Sequence, residues 1–111
     1  MKRGEIWTVA GGPDYTGKPR PAVIVQDEQF RVSQSITLCT FTSDEVEAPL
    51  FRLPVGPSAT NGLRIPSYLM LDKITTVPRG KLGRRIGRLD TADMTRPDRA
   101  MIVFLGLADR R

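Results

Sequence analysis

The chain has 111 residues, 17 lysines and arginines against 12 acids, a net charge of +5, one cysteine and no histidine. The lack of imidazole and the single thiol argue against a zinc site. An enzyme with this composition must work with Arg, Lys, Asp, Glu, Ser, Thr or Tyr, because the commonest acid–base residue is missing. The positive charge favours a polyanionic partner such as nucleic acid.

The single cysteine and the hydropathy of the chain indicate its cellular location. Cys39 cannot form an internal disulfide, and its position in the apolar run ITLCTF predicts a buried, unreactive thiol in a reducing compartment. The N-terminal MKRGEIW lacks the apolar segment of a signal peptide, and no apolar run is long enough to cross a bilayer. We therefore expect a soluble cytoplasmic protein that forms one domain over residues 1–111.

Short apolar runs separated by turn residues dominate the chain up to Asp90. The predicted strands span residues 5–10, 20–26, 36–42, 50–55 and 67–77, and a turn with one more short strand occupies 78–90. Gly- and Pro-rich stretches predict loops at 11–19 and 56–62. The strand at 67–77 is long enough to carry a bulge. Several short strands with this spacing are typical of a small barrel or a strongly curved sheet.

From Asp90 onward the pattern predicts a helix. Asp90 or Thr91 can cap it. Pro97 is tolerated only in a first turn, so either the main helix begins near Thr95 or a short first turn is kinked into it. The segment AMIVFLGL (100–107) is apolar on nearly every face and must be covered on more than one side. A subunit interface would cover it, and so would deep packing within a monomer.

Arg20 stands between Pro19 and Pro21 at the start of the second predicted strand. An ion pair with Asp14 or Glu28 would be the ordinary reason for an arginine at a strand end. The flanking prolines restrict the backbone, however, so the guanidinium is preorganised. Its planar, permanently charged fork suits a phosphate better than an ammonium does. Arg20 is therefore the first candidate for an anion-binding residue.

Hydroxyl side chains close the third predicted strand, in the sequence CTFTSDE. Thr42 and Ser43 could simply form a local turn with the backbone. If the neighbouring strand brings Arg20 beside them, they could instead donate hydrogen bonds to a second phosphate oxygen.

A block without acids between residues 79 and 89 carries five cations, which are Arg79, Lys81, Arg84, Arg85 and Arg88. A solvated positive surface is the default interpretation. The interleaved glycines leave the backbone open to close approach, which suits phosphate contacts, and several cations would make binding strongly salt-dependent. Arg64 and Lys73 could extend this surface.

Asp72 is an acid within the apolar run LMLDKI. It could be a structural partner for Lys73 or for a neighbouring arginine. It could also be a supporting acid with a raised pKa, and the residues themselves leave both interpretations open. Trp7, Tyr15 and Tyr68 could stack on bases, but the position of Trp7 in an apolar strand favours a core or interface residue.

Motifs along nearly the whole chain resemble the MazF/PemK family of toxin endoribonucleases from type II toxin–antitoxin modules. They are the KRGEIW start, the RPAVIV strand, TFTS, the block NGLRIPSYLMLDKITTVPRGKLGRRIGRL and the terminal RAMIVFLGL. Two departures stand out. The loop before Arg20 is shorter than the common form and lacks its glutamate. Met70 also replaces the arginine that some members place two residues before the acid at Asp72.

The resemblance implies a mainly β fold, with a small SH3-like curved antiparallel sheet or barrel and a C-terminal helix of the CcdB/MazF type. It implies a homodimer that cleaves single-stranded RNA at short sequences without a metal or cofactor and is neutralised by an antitoxin with an acidic, disordered tail. The family's catalytic arginine and threonine match Arg20 and Thr42. The residues expected to bind RNA are Lys18, Ser43, Arg64, Lys73, Arg79, Lys81, Arg84 and Arg85. The group that takes the 2′-proton stays unassigned, and a gyrase-binding CcdB-like toxin or a non-catalytic RNA-binding barrel remain alternatives.

Overall fold

Six strands and one helix make up the part of the chain that the structure, a computed structural model, describes: residues 1–11, 18–48 and 50–107. The strands are β1 (Glu5–Val9), β2 (Arg20–Ile24), β3 (Ser35–Thr42), β4 (Arg52–Val55), β5 (Ser67–Pro78) and β6 (Leu82–Arg88), followed by α1 (Thr95–Phe104). Single 3-10 turns occupy Glu28–Phe30 and Arg79–Lys81. Most of the predicted loop at 11–19 lies outside the described residues.

The strands form one antiparallel sheet in the order β4-β5-β3-β2-β1-β6. The predicted mainly β fold with a curved antiparallel sheet and a C-terminal helix is confirmed. Of the two forms expected, the open sheet is the one found, because β4 and β6 are its edges and do not pair with each other. The connection before β5 covers part of the β6 edge, where the Arg88 amide donates to the Thr60 carbonyl at 3.0 Å.

Irregular pairing bends the sheet at two places. On β5 the partner of Cys39 is Ile74 and the partner of Phe41 is Leu69, so the bulge predicted for this strand is confirmed. The β1–β6 pairing also changes register on both sides of Trp7. Extra residues of this kind increase twist and bend a strand, which is how six strands curve around a small core.

Two apolar clusters lie on opposite faces of the sheet, because successive side chains of a strand point to opposite sides. Val23 of β2 belongs to the larger cluster, and its neighbours Ala22 and Ile24 belong to the smaller one. Met94 and Met101 of the C-terminal region join the larger cluster, so α1 packs on that face. The predicted buried thiol of Cys39 is fully enclosed there, and burial raises its pKa to about 12.

The helix begins at Thr95, the later of the two predicted starts, with Pro97 in its first turn. Asp90 caps the preceding turn instead, because its Oδ1 accepts from the Asp93 amide at 3.0 Å. The expected cover on more than one side is not provided by the described residues. Met101 is buried, whereas the exposed apolar residues at this end of the chain are Ile102, Val103, Phe104, Leu105 and Leu107.

Candidate active site and nucleic-acid interface

The start of β2 and the end of β3 lie side by side. Ala22 pairs with Thr40, and continuing that antiparallel register by two residues brings Arg20 level with Thr42. Arg20 is two residues from Ala22 on β2, and Thr42 is two residues from Thr40 on β3. Because side chains alternate between the two faces along a strand, Arg20 and Thr42 point to the same face of the sheet as that pair. This is the arrangement that the sequence required for a shared anion site.

Arg20 and Thr42 line one open cavity of about 890 Å³, which we call the basic cleft. The other candidate residues that line it are Lys18, Ser43, Arg64, Arg84 and Arg85. Among the described residues, no carboxylate lines this cleft. Five cations converging on one concavity produce a strongly positive potential, and such a surface binds phosphates.

Thr42 is almost fully buried, and its Oγ1 accepts a hydrogen bond from the Asp44 amide at 3.1 Å. The local turn considered from the sequence is therefore present. A hydroxyl that accepts one hydrogen bond still carries its own proton, so the same oxygen can donate to a ligand in the cleft. The turn fixes the hydroxyl in place and does not remove it as a donor.

Of the two acids considered as ion-pair partners of Arg20, one lies within the described residues. Glu28 lies in the 3-10 turn that follows β2, at the opposite end of that strand from Arg20. Asp14 lies outside the described residues.

Lys73 and Lys81 do not line the basic cleft. They line a second cavity of about 520 Å³ on the face of the sheet, which we call the sheet-face groove. Arg20 lines both cavities and stands at the boundary between them.

Arg79 is placed in neither cavity. Its Nε donates to the Ser33 carbonyl, its Nη1 approaches the Met1 sulfur at 3.2 Å, and its amide donates to the Gln34 carbonyl at 3.0 Å. These contacts join the β2–β3 connection to the N-terminus and to the end of β5. The side chain therefore has a structural role that its membership of a cationic block did not reveal.

Asp72 forms a two-pronged ion pair with Arg52 of β4, with Nε to Oδ1 at 2.7 Å and Nη2 to Oδ2 at 2.9 Å. The hydrogen bonds from Arg52 hold the pKa of Asp72 below its usual value and outweigh the opposing effect of burial. Asp72 lines neither cavity, so the structure does not include this possible supporting acid among the residues that line the basic cleft with Arg20 and Thr42. The sequence interpretation missed Arg52, whose only signal was an arginine within the short apolar strand LFRLPV.

A small network ties Arg85 to the first strand. Glu5 accepts from the Trp7 indole at 3.0 Å and lies 3.6 Å from the Arg85 Nε. Burial works to raise the pKa of Glu5, but the hydrogen bonds from Trp7 and the Lys2 amide, with the charge of Arg85, together lower it. Trp7 is half-buried against the smaller cluster, as expected for a core or interface residue.

Thr8 is a cleft residue that the sequence interpretation missed. It lines the basic cleft, and its Oγ1 accepts from the Arg84 amide at 3.0 Å. A threonine in an apolar strand carries no signal of this kind, because its position beside Arg84 results from the irregular β1–β6 pairing.

Comparison with known proteins identifies the fold and the family. The family described as "PemK-like, MazF-like toxin of type II toxin-antitoxin system" matches residues 2–105. The chain belongs to this family. A probable endoribonuclease MazF from Mycolicibacterium smegmatis is 50% identical over 108 residues, which are 97% of this chain and 99% of the relative. Endoribonuclease MazF9 of Mycobacterium tuberculosis is 28% identical and covers 96% of this chain and 98% of its own.

Solved structures support the same assignment. The Mycobacterium tuberculosis toxin MazF-mt6 superposes with a TM-score of 0.75 at 27% identity and covers 93% of this chain and 99% of its own. A mycobacterial endoribonuclease solved with its cognate antitoxin reaches a TM-score of 0.81 over 98% of both chains, at an identity of 24% that shows the fold alone. The resemblance drawn from the motifs is confirmed, and the predicted enzyme class with it, because both sequence relatives are named endoribonucleases.

No described helix is both long and apolar enough to span a bilayer. Within the same residues, no three Cys, Asp or Glu side chains are grouped so that they could hold a metal ion.

Proposed function

We propose that Arg20 and Thr42 form the reaction centre of this MazF-like endoribonuclease toxin and that the basic cleft holds single-stranded RNA. The observation that carries the proposal is that both side chains line one cavity, together with four further cations and no described carboxylate. The remaining contacts to RNA are assigned to Lys18, Ser43, Arg64, Arg84 and Arg85, which line the same cleft.

The proposed reaction uses the substrate's own 2′-hydroxyl as the nucleophile. The 2′-oxygen forms a bond to the adjacent phosphorus while the bond from phosphorus to the 5′-oxygen breaks. The 2′-proton is lost and the 5′-oxygen gains a proton, which leaves a 2′,3′-cyclic phosphate and a 5′-hydroxyl. Arg20 stabilises the negative charge that grows on the phosphorane, and Thr42 donates to a non-bridging oxygen. No metal ion enters this scheme.

Partners and location follow as further parts of the proposal. A cationic cleft attracts an acidic segment that folds across it, so we expect a cognate antitoxin with an acidic, disordered tail. Antitoxin-bound forms exist among the structural neighbours, in the mycobacterial complex and in MazE-MazF of Deinococcus radiodurans. We also propose a homodimer, a cytoplasmic location and a single toxin domain over residues 1–111, the last supported by the family match over 2–105.

A cleavage assay with long single-stranded RNA in EDTA tests the proposal. We expect discrete fragments that end in a 2′,3′-cyclic phosphate, and no cutting where a deoxyribose replaces the ribose at the cleaved position. Continued cutting of the deoxyribose substrate would exclude the 2′-hydroxyl as nucleophile. RNA that is retained but never cut would instead indicate a binding protein.

Substitutions test the two assigned side chains. Arg20→Ala should abolish cleavage while the fold is kept, and Arg20→Lys should recover little because an ammonium lacks the planar fork. Thr42→Ala should lose about a hundredfold in rate, or about 3 kcal/mol of transition-state stabilisation, whereas Thr42→Ser keeps the donor. An active Arg20→Ala variant would remove the site assignment.

A further inference from the structure

Glu5 contacts a residue of the basic cleft but does not itself line the cleft. Its strand β1 pairs with β6, and the pairing changes register between Ile6 and Trp7, so that Arg85 stands opposite Trp7. Ile86 is therefore an extra residue on β6. Bulges of this kind re-aim the side chains beside them. Here the Arg85 side chain lies against Glu5 and also lines the cleft.

The two oxygens of the Glu5 carboxylate have different partners. Oε1 accepts hydrogen bonds from the Trp7 indole and the Lys2 amide, each at 3.0 Å, and lies 4.0 Å from the N-terminal ammonium. Oε2 lies 3.6 Å from the Arg85 Nε, which is long for a hydrogen bond, so this contact is an ion pair. Only 13% of the Glu5 side chain is exposed. The carboxylate therefore cannot turn away from Arg85 without breaking two hydrogen bonds.

The Arg85 guanidinium is held on one edge and open on the other. Its Nε faces Glu5, and neither terminal nitrogen donates a hydrogen bond within the described residues. The side chain is 47% exposed. Three other cations of the cleft, Lys18, Arg64 and Arg84, form no ion pair with a described carboxylate. Of these four cations, Arg85 is the one whose direction is fixed by an acid.

The Glu5 carboxylate has two opposite effects on the binding of an anion at Arg85. An arginine side chain has several rotatable bonds, and immobilising them on binding costs free energy. Because Glu5 already restricts these bonds in the folded protein, this effect strengthens binding. An acid beside a cation also lowers the local positive potential, and that effect weakens binding. The opposite signs make the two effects separable by experiment.

We propose that Glu5 is a positioning residue, which fixes the Arg85 guanidinium so that its two terminal nitrogens face a phosphate of the RNA in the basic cleft. The inference rests on the proposed function, because it places RNA in that cleft. It assigns to the Trp7 indole and the Lys2 amide the role of holding the Glu5 carboxylate in place. Glu5 acts through Arg85 and contacts neither the RNA nor the reaction centre.

The test measures the affinity for an RNA that carries a deoxyribose at the cleaved position. Glu5→Gln should weaken binding about two- to tenfold, the usual cost of immobilising one flexible side chain, whereas loss of the negative charge by itself would strengthen binding. Trp7→Phe, which leaves the net charge unchanged, should weaken binding in the same direction. Neither change should alter the affinity when Arg85→Ala is also present. In cleavage assays, Glu5→Gln should raise the KM and leave kcat at the wild-type value.

The matched control is Glu28→Gln, the same change at an exposed position in the 3-10 turn after β2. It should bind RNA as the wild type does. Nuclear magnetic relaxation of the Arg85 Nε gives a readout that needs no RNA. Its order parameter should be lower in Glu5→Gln and in Trp7→Phe than in the wild type. Circular dichroism checks that each variant keeps the fold.

The proposal is overturned if Glu5→Gln binds RNA as tightly as the wild type or more tightly, or if its effect persists beside Arg85→Ala. An Arg85 Nε that is as mobile in the wild type as in Glu5→Gln would also overturn it. If the wild type binds RNA but never cuts it, the proposed function fails, and the affinities still decide the role of Glu5. A wild type that binds no RNA overturns both.

Discussion

At the scale of single residues, the sequence singled out Arg20 and Thr42 because each combined a suitable functional group with a strand end. Their placement in one cavity follows from the antiparallel register of β2 and β3. Asp72 shows the limit of such reasoning. Its partner, Arg52, lies 20 positions away on another strand, and only the β4–β5 pairing brings the two together.

The Arg52–Asp72 pair makes stability depend on pH. Because the folded protein lowers the pKa of Asp72, the stabilisation is complete above the unfolded value of about 4 and is lost as the pH falls through the folded pKa. Asp72→Asn should lower the free energy of unfolding by about 2 kcal/mol at pH 7, the usual worth of hydrogen bonds to a charged group. Denaturant titrations from pH 7 down to acid pH should show that the difference in free energy of unfolding between Asp72→Asn and the wild type shrinks as the pH falls.

The control for that experiment is Glu47→Gln, which removes an acid at an exposed position. It should leave stability nearly unchanged over the same pH range. A constant difference between Asp72→Asn and wild type at every pH would mean that the carboxylate charge is not what stabilises the pair.

At the scale of elements, the connection between β4 and β5 is held rigidly against β6. Buried Asn61 accepts from the amides of Ser58 and Leu63, each at 2.9 Å, and donates to the Gly56 carbonyl at 2.8 Å. Gly62 follows with a φ of +69°, where a Cβ would lie 2.0 Å from the Ile86 carbonyl oxygen. The residues from this connection that line the basic cleft are Gly62, Leu63, Arg64 and Ile65.

Gly62→Ala should therefore damage both stability and RNA binding. The left-handed backbone alone costs about 1 to 3 kcal/mol for a residue with a side chain, and the contact with Ile86 forces the connection to move. Thermal unfolding should show a lower Tm, and the KM for RNA should rise as Arg64 is displaced from the cleft.

Gly56→Ala provides the comparison within the same connection. A Cβ at this position meets nothing within 4 Å, so stability and KM should stay at wild-type values. If the two variants behave alike, the close approach to β6 does not position the cleft.

At the scale of the whole molecule, the apolar end of α1 remains uncovered by the described residues. Leu105 is 55% exposed and Leu107 is 72% exposed. Within the structure, the ring of Phe104 contacts that of Phe51, with 5.7 Å between the ring centroids. Several exposed apolar residues grouped at one end of a helix are typical of a surface that another protein covers. It is the structural support for the homodimer proposed above.

Leu105→Glu should convert the dimer to a folded monomer, because the charge would be buried without a partner in the interface but solvated in the free chain. Sedimentation velocity gives the mass, and circular dichroism checks the fold. Val32→Glu, at a position that is 86% exposed and distant from α1 in sequence, should remain dimeric. A monomeric wild type, or a dimeric Leu105→Glu variant, would contradict the use of this surface.

The sequence by itself determined the kind of elements, their order and the two side chains at the proposed reaction centre. These depend on local signals: alternation along a strand, punctuation by glycine and proline, and functional groups at strand ends. The family came instead from the resemblance of its motifs to those of known toxins. The tertiary structure alone decided that the cations divide between two cavities, that Arg79 joins the N-terminus to a connection, that Arg52 holds Asp72, and that α1 leaves an apolar end uncovered. These depend on the strand order β4-β5-β3-β2-β1-β6 and on bulges that change register, which place residues distant in the chain side by side.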